Sequence, residues 1–176
     1  MRIVAGKLGG RRLRAPAGRD TRPTADRVRE ALFSMLGDVS GLTVLDLFAG
    51  SGALGIEALS RGAARADFVD SGRRSTEAVR RNLEELGVEG GVHLTGALGW
   101  LARAEGVRSY DLVFCDPPYD SVGRLARPLA ERLPAVLSED ARIVTESDKR
   151  APLELPFPLL RERTYGDTRI AVYRAG

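Results

Sequence analysis

The chain has 176 residues, of which 43% are hydrophobic and 29% are charged, so it can bury one sizeable core but hardly two. Its single cysteine and single histidine exclude an internal disulfide framework and a zinc site built from those residues, and we expect no metal centre. No apolar run has the length of a membrane span or of a signal sequence, so we expect a soluble cytoplasmic protein without membrane contact.

The basic residues concentrate at the beginning of the chain. Residues 1–36 contain nine basic and three acidic side chains, a net charge of +6, whereas residues 37–176 carry a net charge of −3. Arginine supplies 25 of the 27 basic side chains, and its planar guanidinium group suits phosphates and guanine edges. A nucleic-acid partner is favoured, although a solvated basic face would produce the same pattern.

The pattern of residues 1–20 predicts a basic hairpin. Two short extended segments, 2–5 and 11–14, are joined across a glycine-rich stretch and closed by Pro16 and Gly18. A helix is expected next, with Thr24 as N-cap and Gly37 as its end. The chain therefore divides into a hairpin over residues 1–20 and a domain over residues 21–176.

The rest of the chain alternates strand-length apolar runs with helical segments, which predicts a parallel α/β sheet. Strands are expected over residues 43–47, 66–69, 92–95, 111–115 and 142–145. Helices are expected from Ala53, from Ser75, over residues 98–104 and, interrupted by proline, over residues 125–133. The last two runs, 159–164 and 169–173, leave no room for a helix between them and should pair antiparallel through a tight turn.

A glycine-rich turn follows the first predicted strand. Gly50, Gly52 and Gly55 have the GxGxxG spacing, in which glycines let the backbone turn sharply and approach a ligand. Asp70 ends the second strand and can accept hydrogen bonds from a ribose diol. Both features fit any adenosine-containing cofactor, nicotinamide dinucleotides included. Asp46 lies four residues before Gly50, close to where a positively charged amino-acid end of a cofactor would sit.

A second candidate site follows the fourth predicted strand, at the sheet edge where open α/β folds bind ligands. It consists of Asp116, Pro117, Pro118 and Tyr119. Two successive prolines force an extended turn that can direct the Asp116 carboxylate and the Pro117 carbonyl at one point. Two acceptors that converge in this way can hold an amino group.

The two motifs resemble those of S-adenosylmethionine-dependent methyltransferases. The glycine-rich loop resembles their first motif, and residues 116–119 resemble the (Asn/Asp)-Pro-Pro-(Tyr/Phe) motif of those that methylate exocyclic or amide nitrogens. Together with segments 22–30, 48–63 and 165–168, they are similar to the RsmD family, which methylates N2 of one guanine in 16S ribosomal RNA. The resemblance implies a Rossmann-like class I methyltransferase fold, with a seven-stranded, mostly parallel sheet and an antiparallel last strand.

The resemblance also implies S-adenosylmethionine as cofactor and assigns the site residues. The catalytic residues are Asp116, Pro117, Pro118 and Tyr119, with Tyr119 stacked on an extruded base. The cofactor-binding residues are Arg22, Thr24, Asp46, Ala49, Gly50, Ser51, Gly52, Asp70, Ala97 and Asp116. Phosphate contacts are expected from the hairpin residues Arg11, Arg12, Arg14 and Arg19. The expected partner is 16S rRNA, within the small ribosomal subunit or an assembly intermediate, and a monomer is expected.

Other functions stay open on the sequence. The same geometry around Asp116 would serve adenine N6 or a glutamine amide, and the glycine loop alone would serve a nicotinamide-dependent oxidoreductase. A non-catalytic RNA-binding assembly factor would keep the fold without turnover. Cys115, His93 and Trp100 lie among apolar residues, and we expect them to pack in the core rather than to act in chemistry.

Overall fold

Seven strands and five helices carry the alternation predicted from the sequence, in a computed structural model that describes residues 1–16 and 26–176. Three of the predicted site residues, Arg19, Arg22 and Thr24, lie outside the described residues, as does the predicted boundary between residues 20 and 21. The helices are α1 (Asp26–Leu36), α2 (Ala53–Ser60), α3 (Arg73–Leu86), α4 (Ala97–Ala104) and α5 (Val122–Arg132). The strands are β1 (Thr43–Leu47), β2 (Arg65–Asp70), β3 (Gly91–Leu94), β4 (Tyr110–Cys115), β5 (Leu137–Asp148), β6 (Leu159–Tyr165) and β7 (Thr168–Arg174).

The seven strands form one sheet in the order β3-β2-β1-β4-β5-β7-β6. Strands β1 to β5 pair in parallel, and β7 is antiparallel to both of its neighbours. The fold class predicted from the sequence is therefore confirmed. Because β1 is flanked by β2 and β4, the strand order reverses at β1, which is where open α/β sheets bind ligands beyond the strand ends.

Most predicted elements lie within two residues of those observed, and two of them differ by more. Strand β5 begins at Leu137, five residues earlier than predicted, because Leu137 pairs with Tyr110 of β4. A register shift separates this pair from the next one, and the polar residues 138–140 give no strand signal in the sequence. Helix α5 begins at Val122 and continues through Pro128 instead of breaking there. The hydrogen bond that Pro128 cannot donate would go to the carbonyl of Arg124, an exposed residue, so this loss is tolerated.

Alternate side chains along each strand enter two apolar layers. Val44 and Phe114 face one layer, which α1, α2, α3 and the N-terminal hairpin cover. Leu45 and Val113 face the other layer, which α4 and α5 cover. The central strands β1 and β4 are thus buried on both sides of the sheet, whereas the edge strand β6 is mostly exposed.

The predicted N-terminal hairpin is present. Arg2 and Arg12 form an antiparallel bridge across it. Its apolar side chains Ile3, Leu8 and Leu13 are at most 8% exposed and belong to the same core as α2 and α3. The hairpin is therefore packed against the sheet domain along its whole apolar side.

The residues predicted to pack do so. The His93 ring stacks on Trp100 at 3.8 Å between centroids, and His93 Nε2 lies 3.0 Å from Oδ1 of the buried Asp67. Cys115 is buried, and burial raises the pKa of its thiol. Within the part of the chain that the structure describes, no helix is both long and apolar enough to cross a membrane.

Candidate active site

The glycine-rich loop lies between β1 and α2, and the local geometry requires glycine at positions 50, 52 and 55. Gly50 has φ +58° and Gly52 has φ +78°, in the left-handed region that other residues rarely adopt. A Cβ at Gly52 would also lie 3.2 Å from Ile56 Cδ1. Gly55 packs directly on β2, since a Cβ there would lie 2.4 Å from Phe68 Cε1. The first two glycines shape the turn, and the third lets α2 approach the sheet.

Phe48 adds strain at the start of the same loop. Its φ of 63° is in the left-handed region, which costs a residue with a side chain on the order of 1 kcal/mol. Two backbone hydrogen bonds of the next residue hold the conformation: the Ala49 N–H donates to the Val69 carbonyl at 3.0 Å, and the Ala49 carbonyl accepts the Gly52 N–H at 2.7 Å. The loop is thus fixed before any ligand enters it.

Asp70, at the end of β2, holds the loop from the opposite side. Its Oδ2 accepts the Gly50 N–H at 2.9 Å, and its Oδ1 accepts the Gly72 N–H at 2.7 Å. The residue is 8% exposed. Each carboxylate oxygen keeps a further acceptor position, so the oriented carboxylate is able to accept hydrogen bonds from a ribose diol.

Asp46 is buried inside β1, beneath the loop. Its Oδ2 accepts the Gly55 N–H from the first turn of α2 at 2.9 Å. Burial, with a smaller contribution from the nearby Asp70, raises the pKa of Asp46 to about 8, against the opposing effect of the Gly55 N–H. The carboxyl group therefore holds a proton at neutral pH until a cation or another donor compensates its charge.

Asp116 to Tyr119 follow β4 at the same sheet edge. Leu47 pairs with Cys115, so the residues that leave β1 and β4 start side by side. Asp116 is half-buried and Pro117 is buried, whereas Pro118 and Tyr119 are exposed, Tyr119 by 45%. Burial, and then the charges of Glu146 and Asp46, raise the pKa of Asp116 well above its ordinary value.

Sequence reasoning missed two neighbours of this segment. Glu146 on β5 is 7% exposed and lies beside Asp116, because Cys115 pairs with Thr145 across the two strands. Burial, and then the charges of Asp116 and Glu146, raise the pKa of Tyr119, and a hydrogen bond with the side chain of Thr168, at the start of β7, opposes this rise. Thr168 belongs to the segment 165–168 that carried the resemblance, whereas nothing in the sequence distinguishes Glu146 from a strand residue.

Asn82 on α3 was also missed. Its side chain is 1% exposed and donates to the carbonyl oxygen of Ser51, in the glycine-rich loop, at 2.9 Å. Position 82 lies among charged residues of a helix that the sequence presents as solvated, so no pattern identifies it. Of the remaining predicted cofactor residues, Ala97 is buried at the start of α4, two residues after Thr95, whose N–H donates to the Asp70 carbonyl oxygen at 3.0 Å.

The hairpin arginines differ in the groups that they contact. Arg11 donates to the carbonyl oxygens of Glu85 at 2.6 Å and Leu86 at 3.2 Å, at the C-terminal end of α3. Arg14 pairs with the Glu85 carboxylate at 2.7 Å. Arg11 thus binds the terminal carbonyls of α3, and Arg14 forms an exposed ion pair with the same helix, while Arg12 is also exposed. Phosphate binding by these residues stays a prediction.

Metal ligands are not assembled at this edge. Within residues 1–16 and 26–176, no group of three or more His, Cys, Asp or Glu side chains has the geometry to hold a metal ion.

Comparison with known proteins connects the whole chain to one family. The family model described as Conserved hypothetical protein 95 matches residues 1–174. The Bacillus subtilis protein YlbH is 40% identical over 99% of this chain and 98% of its own length. Ribosomal RNA small subunit methyltransferase D of Haemophilus influenzae is 34% identical over 99% of this chain and 93% of its own length.

Solved structures give the same result. The structure of the Escherichia coli protein yhhF matches with a TM-score of 0.84 and 34% identity, over 99% of this chain and 97% of that one. The family match, the two relatives and this structure each extend over nearly the full chain. The chain therefore belongs to the RsmD family of S-adenosylmethionine-dependent rRNA methyltransferases.

Proposed function

We propose that this chain transfers a methyl group from S-adenosylmethionine to the exocyclic N2 of a guanine in 16S rRNA. The observation that carries the proposal is the juxtaposition of two sites at one sheet edge. The glycine-rich loop with Asp70 leaves β1 and β2, and the segment from Asp116 to Tyr119 leaves the adjacent β4. A cofactor in the first site and a base in the second would meet between the strand ends.

The residues of the first site fit S-adenosylmethionine. Asp70 presents an oriented carboxylate for the ribose hydroxyls, and the glycines let the backbone approach the cofactor. Asp46 would compensate the positive amino-acid end, since that charge would bring its raised pKa down. When bound, S-adenosylmethionine supplies an electrophilic sulfonium methyl group.

The residues of the second site would make a weakly nucleophilic amino group more reactive. The exocyclic nitrogen of guanine is a poor nucleophile because its lone pair is delocalised into the ring. The Asp116 carboxylate and the Pro117 carbonyl would accept its two N–H bonds and so localise the lone pair toward the methyl group. N–H donation by the bound base would offset the burial that raises the pKa of Asp116 and would favour its ionised form, which can then receive the proton that leaves the methylated nitrogen.

Tyr119 would stack on the extruded base. Tyr119 is 45% exposed, so its aromatic face is accessible to a base, and its side chain hydrogen-bonds that of Thr168. A base inside an RNA helix does not reach the strand ends of the sheet, so the target nucleotide has to leave its stack.

The proposed partner is the small ribosomal subunit or an assembly intermediate, met by a monomer in the cytoplasm. The printed name of the Haemophilus influenzae relative, a ribosomal RNA small subunit methyltransferase, supports this choice.

The test is a methylation assay on unmodified small ribosomal subunits. The wild-type chain and the Asp116→Ala variant are incubated with S-adenosylmethionine, and the RNA is digested to nucleosides for mass spectrometry. We expect N2-methylguanosine from the wild-type chain alone. N6-methyladenosine would instead support adenine methylation, and cofactor binding without any methylated nucleoside would support the assembly-factor alternative.

A further inference from the structure

Asn82 connects the glycine-rich loop to the N-terminal hairpin. Its Nδ2 donates to the carbonyl oxygens of Ser51, at 2.9 Å, and of Arg14, at 3.0 Å. Its Oδ1 accepts the Arg14 N–H at 2.8 Å. Both amide hydrogens are therefore used, and the partners fix the orientation of the amide group.

The partners of Asn82 lie outside helices and strands. Ser51 is in the turn before α2, and Arg14 is the last residue of the second extended segment of the hairpin, so neither backbone group is paired within a helix or a strand ladder. Buried backbone polar groups without partners cost free energy. A single side chain thus satisfies two separate backbone segments, and moving one segment disturbs the other.

The other strand of the hairpin reaches the same loop residue. Ser51 Oγ donates to Met1 Sδ at 3.5 Å, a weak bond, and the Leu13 N–H donates to the Met1 carbonyl oxygen at 3.0 Å. Both hairpin strands therefore end against Ser51, one directly and one through Asn82.

We propose that Asn82 is a positioning residue that couples cofactor binding at the glycine-rich loop to the order of the hairpin at Arg14. The inference rests on the proposed function, because it takes the loop around Ser51 to bind S-adenosylmethionine. A cofactor that immobilises Ser51 would hold the Asn82 amide and, through it, the backbone of Arg14. The basic hairpin would then be best ordered for RNA when the methyl donor is in place.

Amide hydrogen exchange on the full chain tests this coupling. In the wild-type chain, we expect S-adenosylmethionine to slow exchange at Arg14 and Leu13 about tenfold, along with exchange at Gly50 and Gly72 beside Asp70. In the Asn82→Ala variant, the slowing at Arg14 should disappear while that at Gly72 persists. Loss of the Ser51 contact should also weaken cofactor binding by a factor of about three to ten.

Ser60→Ala is the matched control. Ser60 Oγ accepts the Leu8 N–H at 3.0 Å and donates to the Ala5 carbonyl oxygen at 2.6 Å, so it anchors the hairpin on α2 without touching Ser51. This variant should speed exchange across the hairpin in both states and keep the cofactor-dependent slowing at Arg14. A purely structural role for Asn82 predicts instead that both variants behave alike.

Two results would overturn the coupling. One is a wild-type chain whose Arg14 exchange does not respond to bound cofactor, a measurement that does not depend on any variant folding. The other is an Asn82→Ala variant that keeps the full response. Failure to bind S-adenosylmethionine at all, measured by calorimetry on the same wild-type sample, would count against the proposed function and not against the coupling.

Discussion

The cofactor half and the acceptor half of the site are built in opposite ways. In the cofactor half, backbone N–H groups of Gly50, Gly72 and Gly55 hold the carboxylates of Asp70 and Asp46, and little of either residue is exposed. In the acceptor half, two of the four motif residues are exposed. The first half is shaped before a small ligand arrives, and the second stays open for a macromolecule that brings its own structure.

Electrostatics connects the two halves. Asp46 and Asp116 both have raised pKa values, and loss of solvent contact is the largest cause for each. The charge of Asp70 adds to the effect on Asp46, and the charges of Glu146 and Asp46 add to the effect on Asp116. Buried carboxylates without a compensating positive charge are costly, so burial favours the protonated form of both acids. A cationic ligand in the cofactor half and N–H donors in the acceptor half would stabilise the ionised carboxylates of Asp46 and Asp116.

The largest expected effect separates chemistry from cofactor binding. Asp116→Ala should lower kcat by a factor of about 10² to 10⁴, because the acceptor that orients the amino group is lost, while the Kd of S-adenosylmethionine stays within about threefold. Single-turnover methylation and calorimetry measure the two quantities. Asp120→Ala, an exposed acid in the same loop, is the control and should retain activity. Equal losses in both variants would contradict the assignment of Asp116.

A second prediction concerns the open half alone. Tyr119→Ala should raise KM for the RNA substrate by a factor of about 10 to 100, since stacking of one base on an aromatic ring contributes on the order of 1–3 kcal/mol. Tyr119→Phe keeps the stacking face and should stay within a few-fold of the wild type. If the Phe variant were as impaired as the Ala variant, the hydroxyl group bound to Thr168 would matter more than the ring.

The pH dependence of cofactor affinity should report on the buried half. Because Asp46 must ionise to pair with a cation and its pKa is about 8, the Kd of S-adenosylmethionine should fall about fivefold between pH 7 and pH 8. The same shift affects the stability of the unliganded chain. The contribution of Asp46 to the free energy of unfolding is largest below its unfolded-state pKa of about 3.9, and it is lost as the pH rises through about 8.

Asp46→Asn is the variant for that measurement. It keeps a hydrogen-bond acceptor for Gly55 and does not titrate, so the dependence of Kd on pH should flatten. Calorimetric titrations at several pH values, together with thermal unfolding of the unliganded chain, give both readouts. An unchanged slope in the variant would assign the titration to another group.

The smallest expected effect lies outside both halves. Arg12→Ala should weaken RNA binding a few-fold and reduce the slope of log K against log salt by about 1, if its exposed side chain contacts a phosphate. Arg11→Ala should mainly lower thermal stability, because Arg11 holds the last carbonyls of α3. Fluorescence anisotropy over a range of salt concentrations, with melting curves, distinguishes the two roles. Identical salt slopes in both variants would contradict this division.

The sequence by itself determined the order of elements and the two halves of the site. Apolar runs of strand length, helical periodicity and glycine or proline at the turns are local signals, and they placed β1, β4 and the glycine-rich loop correctly. The site motifs are equally local, since Asp116 follows directly on β4 and Gly50 lies three positions beyond the end of β1, at the ligand-binding edge of this kind of sheet.

Only the tertiary structure decided which side chains support the site and which arginines of the hairpin contact helix α3. Asn82 reaches Ser51 across 31 positions and Arg14 across 68, and Arg11 reaches Glu85 across 74. Contacts of this kind depend on how α3, the hairpin and the loop pack together, and no periodicity along the chain encodes them. Glu146 lies beside Asp116 for the same reason, because strand pairing joins residues that the sequence keeps far apart.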